Sequence, residues 1–163
     1  MTGFDIGPDR PDAPDVIRLL QEHLRHARAW SRPEDMHALE VDALLGADIL
    51  FYSARSPGRL LAVGALRRID ADHAEIKSMH VEEQARGQGT GKAMLDHLVA
   101  RARDHGFARL SLETGMQDAF LPARRLYLDA GFVACAPFGS YQVSDDSVCM
   151  TRTLDREESG GCS

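Results

Sequence analysis

The sequence has no apolar run approaching the ~20 residues a membrane-spanning helix needs, so no membrane partner is expected. Its first ten residues lack the basic-then-apolar order of a signal peptide. Cysteine is scarce: Cys135, Cys149 and Cys162 are widely spaced and carry no metal-ligand spacing. That pattern supports neither a disulfide framework nor a zinc site, and it suits reduced thiols in the cytoplasm with no bound metal. Positive charge is in deficit, 19 Lys and Arg against 25 Asp and Glu. A net charge of −6 argues against a general nucleic-acid partner, which needs a basic surface to displace counterions. The arginines between Arg86 and Arg125 are an ordinary solvated face or part of an anion site, and net charge does not decide between them. No Ser–His–Asp arrangement and no H-E-x-x-H motif occurs, so covalent hydrolysis and zinc catalysis have no support.

What is present reads as one soluble domain over residues 1–154, followed by a polar tail, 155–163, expected to be frayed. Asp12–Trp30 reads as a helix with Val16, Leu19, Leu20 and Leu24 on one stripe. A second helix is expected between Ser31 as N-cap, with Pro33 just inside it, and Gly46. Strands are expected over Ile49–Ala54 and Leu60–Leu66, joined by the turn Ser56-Pro57-Gly58. Asp70–His73 reads as a turn and Glu75–Val81 as a strand. Gly91, Met94, Leu95, Leu98 and Ala102 follow a helical period, with Gly106 placed for a left-handed C-cap. Ala108–Thr114 is a strand, and Ala123, Leu126, Tyr127 and Ala130 mark a short helix ended by Gly131. Phe132–Cys135 and Val148–Leu154 are closing strands. Helices alternating with strands imply α/β layering, one mixed sheet with helices on its faces.

The chemistry begins where Val81 runs through Glu83-Gln84-Ala85-Arg86-Gly87-Gln88-Gly89-Thr90-Gly91-Lys92 into the best-marked helix. Alternate glycines let backbone approach a ligand closely, and a helix N-terminus presents unpaired N–H groups to an anion. Arg86 and Lys92 can add side-chain charge. A dinucleotide fingerprint counted from Gly87 fails at Lys92. A Walker A loop fails at both its first position, Arg86, and its last, Ala93. A glycine-softened turn without a ligand is the bland alternative.

The segment Arg86-Gly87-Gln88-Gly89-Thr90-Gly91 resembles the acetyl-CoA signature [QR]-x-x-G-x-[GA] of the GNAT acyltransferases. Further on, the segment from Ala123 to Phe132 is similar to that family's A-x-x-L-Y-x-x-x-G-F signature. The stretch Gly139-Ser140-Tyr141 with Asp145, Ser147, Val148 and Met150 resembles a bacterial acetyltransferase subgroup, which carries Asp-Pro where this chain has Asp145-Asp146. The resemblance runs from about Leu60 to Leu154 and implies a GNAT-like fold: a mostly antiparallel mixed sheet with a splayed parallel strand pair.

It also implies acetyl-CoA as cosubstrate. The coenzyme would lie along Met79, His80 and Val81, with its pyrophosphate on the loop from Arg86 through Gly87, Gln88, Gly89, Thr90 and Gly91 to Lys92. Transfer would be direct, to a primary amine of a small molecule or peptide. Tyr127 matches the family's general acid, although on an apolar stripe it also reads as a core aromatic. Glu75 matches the position of the base in histone-type members, or it is a strand-end carboxylate pairing with Lys77. Glu113 is the rival carboxylate. Many members carry Asn where this chain has Phe120, so one polar coenzyme contact is expected to be missing or supplied elsewhere. His37, Glu113 and Tyr141 are candidates for contact with the acceptor, whose recognition falls to the regions 36–45 and 138–147. His37, His73 and His80 are each isolated and read more readily as hydrogen-bonded or surface residues than as catalysts. The rival readings are a non-catalytic CoA-binding module and a nucleotide-binding protein. No interface feature is visible, and homodimerisation stays open.

Overall fold

Pro14 starts helix α1, Pro14–His26, because its locked φ suits a first helical turn and its missing N–H costs nothing there. Val16, Leu19 and Leu20 then fall on one stripe and are buried against Leu44, Phe51, Leu60, Val63 and Ala65. The computed structural model describes residues 3–26, 43–139, 141–143 and 145–154. The expected helix from Ser31, the C-terminal end of the first helix as read to Trp30, and the tail lie outside the described residues, apart from helical residues 43–44 ahead of Gly46.

The strands are β1 (Asp5–Pro8), β2 (Ile49–Ser56), β3 (Arg59–Arg68), β4 (His73–Val81), β5 (Arg109–Gly115), β6 (Val133–Cys135) and β7 (Ser147–Thr153). Their order is β1-β2-β3-β4-β5-β7-β6. The pairs β1–β2, β2–β3, β5–β7 and β6–β7 are antiparallel, and β4–β5 is parallel. The parallel register runs from His73↔Arg109 to Glu75↔Ser111, while both strands continue beyond it. The mixed α/β sheet implied by the two signatures is therefore the observed fold.

The described residues group into two compact units, one within Met1–Arg67 and Lys77–His97, the other within Arg68–Ile76 and Leu98–Ser163. The first holds α1, β1, β2 and most of β3. Its core is the α1 stripe against β2 and β3. Arg55 fixes α1 to this layer, reaching Asp15 at 2.6 Å and Asp9 at 2.8 Å. Both carboxylates are held below their ordinary range, Asp15 mainly by its hydrogen bond to Arg55. For Asp9, burial pushes upward but is outweighed by hydrogen bonds from Ser53, Arg10 and Arg55.

The second unit holds β5, β6, β7 and the start of β4, with Leu110, Leu112, Phe132, Met150 and Leu154 in its core. Two further helices among the described residues are α2 (Thr90–Asp104) and α3 (Leu121–Asp129). Along α2, Met94, Leu95, Leu98 and Ala102 are fully buried, as their period predicts. Gly106 takes φ +84°, and the Phe107 N–H reaches back to the Ala102 carbonyl at 3.1 Å. That geometry is a Schellman ending, which needs a residue free to adopt a left-handed turn.

Strand β1 is an element the sequence reading passed over. Asp-Ile-Gly-Pro has little strand propensity, and its pairing with β2, from Asp5↔Arg55 to Pro8↔Tyr52, is made with residues some 45 positions away. Strand β4 begins at His73, two residues before the expected start, because Ile69 N–H closes the preceding turn on the His73 carbonyl at 2.9 Å.

Candidate active site

In the first unit, β4 leads into the glycine loop. Glu82 N–H donates to the Leu61 carbonyl at 2.7 Å, and a short 3₁₀ turn, Glu83–Ala85, carries the chain to Arg86. Gly87 and Gly89 take φ +77° and +84°, which disfavours any residue with a Cβ. A Cβ built at either would meet nothing within 4 Å, so the space before α2 is open. The helical ladder starts with Ala93 N–H donating to Gly89 O at 3.0 Å. The amides of Thr90, Gly91 and Lys92 precede it and stand at the positive end of α2. Such a cradle fits a phosphate-bearing coenzyme.

Arg86, Gln88 and Lys92 are exposed. Lys92 Nζ pairs with Asp96 at 2.8 Å. An exposed i,i+4 pair contributes little, so an anion at the loop can recruit this lysine at small cost. Gly89→Val should cost about 1–3 kcal/mol for the forced positive φ and should also fill the open space. Calorimetry should find coenzyme affinity lost in a protein that still folds.

Upstream on β4, Met79 and Val81 are half-buried and His80 is buried. The bend before them is Ser78 at φ +54°. A positive φ outside glycine is strained and calls for support from its surroundings. The sequence carries no sign of this kink, since Ser78 sits in an ordinary strand pattern.

In the second unit, Glu75 on β4 is 1% exposed. The Tyr141 hydroxyl donates to its Oε2 in a short hydrogen bond. Tyr141 is placed by a turn in which its N–H bonds the Phe138 carbonyl at 3.0 Å. The Phe138 ring packs edge-on against Tyr141 at 5.1 Å and tilts onto His73 at 5.5 Å. Burial, followed by the Glu75 hydrogen bond and the Glu75 and Glu113 charges, pushes the Tyr141 phenol far above its ordinary range. Tyr141 therefore stays protonated and Glu75 is its acceptor. Glu113, on β5, is half-buried and opposite Cys149 in the β5–β7 register.

His73 is buried, with Nε2 2.6 Å from Ser111 Oγ. Ser111 Oγ is 2.8 Å from Thr151 Oγ1, which accepts from Arg109 Nε at 2.7 Å. Burial holds His73 below its ordinary 6.5, and the Arg109 charge adds to that against Asp70 and Glu75. A histidine depressed on folding binds protons more readily when unfolded, so its contribution to stability is present above about pH 6.5 and is lost as pH falls. Melting temperatures measured between pH 7 and 5 should fall for the parent chain and change less for His73→Gln. Carboxylates such as Asp9 and Asp15, held low, lose their contribution only at more acidic pH.

Tyr127 is buried on α3, its ring edge-on to Phe132 at 6.0 Å, and burial pushes its phenol up to about 12. Phe120, which stands where many family members have Asn, is the N-cap of α3 without a side-chain cap bond. A Cβ on Gly115 would overlap its ring, so this departure is accommodated by a glycine on β5. Arg124 ties the following loop down, donating to the Gly115 and Gln117 carbonyls at 2.7 and 3.1 Å.

Of the expected acceptor residues, Tyr141 joins Glu75, Glu113 exerts its charge on the same phenol, and His37 lies outside the described residues. The sequence reading missed Phe138, Ser111 and the anchored role of His73. Among the described residues no group of three or more His, Cys, Asp or Glu could hold a metal, and no described helix is long and apolar enough to cross a membrane.

Residues 16–132 match the acetyltransferase (GNAT) family model. The uncharacterized N-acetyltransferase YsnE of Bacillus subtilis (strain 168) is 42% identical over 85% of this chain and 92% of its own. The IAA acetyltransferase of Azospirillum brasilense is 33% identical over 94% of this chain and 100% of its own. Among solved structures, a GNAT family acetyltransferase from Elizabethkingia anophelis with acetyl-CoA bound has the same fold. Its TM-score is 0.72 at 19% identity, covering 94% of this chain and all of that one. With the glycine loop, the parallel strand junction and matches of this length, the chain belongs to the GNAT acetyltransferase family and is an acyltransferase.

Proposed function

We propose that this acyltransferase moves the acetyl group of acetyl-CoA directly to a primary amine, with Glu75 taking a proton from the ammonium. The observation that carries this reading is the buried Glu75 carboxylate with the Tyr141 hydroxyl bound to one of its oxygens. A carboxylate can take up a proton, which is what removing one from an ammonium requires. Tyr141, locked in its protonated form, positions that carboxylate rather than competing for the proton. Glu75 lies on the strand that continues through Met79, His80 and Val81 into the glycine loop. We assign those three residues to the pantetheine arm and Arg86–Lys92 to the pyrophosphate. The coenzyme supplies the thioester carbonyl that the neutral amine attacks. Tyr127 is the donor we assign to the departing sulfur.

Saturating acetyl-CoA should raise the melting temperature, since a ligand at 100 times its Kd adds roughly 2.7 kcal/mol of stability. An unmoved transition would sink the coenzyme assignment. The acceptor is tested by thiol release from acetyl-CoA across a panel of small-molecule and peptide amines, with IAA added after the name of the Azospirillum relative. Release that no amine stimulates would overturn amine transfer.

A further inference from the structure

In the β6–β7 ladder, Cys135 stands directly opposite Cys149. Residues opposite one another in an antiparallel pair share a face, with Cα atoms roughly 4.5 or 5.5 Å apart according to the type of pair. Either spacing falls in the range of about 4.4–6.8 Å that a disulfide spans. Both thiols are free. Cys135 is half-exposed on a strand at the end of the sheet order, whereas Cys149 is buried. Cys149 also borders the carboxylate cluster. Its thiol is pushed up by burial first, and by the Cys135, Glu113 and Glu75 charges. A hydrogen bond from the Phe138 backbone to the sulfur opposes these.

We propose that Cys135 and Cys149 form a redox switch, in which a low-molecular-weight disulfide converts the pair to an intrachain disulfide and slows acetyl transfer. The effect on transfer rests on the role proposed above for Glu75, while the disulfide itself does not. The Cys135 thiolate attacks one sulfur of the small disulfide, forming a mixed disulfide and expelling one small thiolate. Cys149, losing its proton, then attacks the Cys135 sulfur and expels the second. Two protein thiols are oxidised, one small disulfide is reduced to two thiols, and those thiols take up the two protons. Burial of Cys149 does not block this route, because its attack comes from the facing residue and not from solvent.

The consequence follows from the contacts already described. Cys149 stands opposite both Cys135 and Glu113 in its two ladders, so drawing its sulfur towards Cys135 shifts β7 on the face that carries that carboxylate. Phe138 packs on both Tyr141 and His73, and Tyr141 holds Glu75. A shift of about an ångström in a positioned catalytic group costs on the order of 10²-fold in rate.

The test uses the full chain carrying Cys162→Ser, so that the third thiol takes no part. After treatment with oxidised glutathione, peptide mass mapping should find Cys135 and Cys149 in one linked pair of peptides, lighter by two hydrogens. Turnover of acetyl-CoA should fall on the order of 10²-fold and recover with dithiothreitol. Cys135→Ser and Cys135→Ala, both at the half-exposed position, should turn over normally and keep that rate after oxidised glutathione. Glutathione left on Cys135 with no internal link would overturn the switch, as would a linked protein of unchanged turnover. If no amine supports turnover, the reading of Glu75 fails, and the mass map still decides the linkage.

Discussion

Glu75→Gln should lower kcat by roughly 10²–10⁴ near neutral pH, the usual contribution of a positioned base. The substitution keeps the shape of the side chain, and the amide oxygen can still accept from the Tyr141 hydroxyl, so folding should survive. The pH dependence separates a base from an orienting group. An alkyl ammonium with an ordinary pKa near ~10.4 deprotonates unaided as pH rises. The defect of Glu75→Gln should therefore shrink at alkaline pH if the missing function is proton removal. A defect of constant size across the profile would make Glu75 a positioning residue. Glu113→Gln is the companion measurement. Glu113 is half-buried and acts on the Tyr141 phenol through its charge. A large loss there, with little in Glu75→Gln, would transfer the base to β5.

What could be read from the sequence follows the range of the interactions. The glycine loop was legible because its determinants are local: Gly87 and Gly89 take left-handed φ, and the helix begins at the next residue. The α2 stripe and the Gly106 ending were legible for the same reason. Glu75 could be placed by counting along its strand from Val81. Its partner could not, because Tyr141 lies 66 positions away and reaches Glu75 through a turn at Phe138. His73 looked isolated since its partner, Ser111, lies 38 positions on and meets it across the parallel junction. Nothing local announces the strained Ser78 or the pairing of the N-terminal Asp5–Pro8 with β2. The Phe120 departure looked like a lost polar contact. Its fit against Gly115 depends on two positions five residues apart that no motif links.

Tyr127→Phe is the other large effect expected. The ring is buried and packs on Phe132, so retaining it preserves the interior of the second unit while removing one hydroxyl. If that hydroxyl serves the departing thiolate, kcat should fall by ~10²–10⁴ with coenzyme affinity little changed. The phenol at about 12 is a weaker acid than an ordinary thiol at ~8.5. Burial disfavours the phenolate, so complete loss of the proton is resisted where the ring sits. Tyr127 is thus better suited to a hydrogen bond that strengthens as charge builds on the sulfur than to complete donation. This sets a second expectation. The Tyr127→Phe defect should persist at alkaline pH, because deprotonating the amine does nothing for the leaving group, and it should shrink with acyl donors whose thiols are more acidic. Wild-type kcat in Tyr127→Phe, measured with acetyl-CoA near neutral pH, would confine this tyrosine to packing.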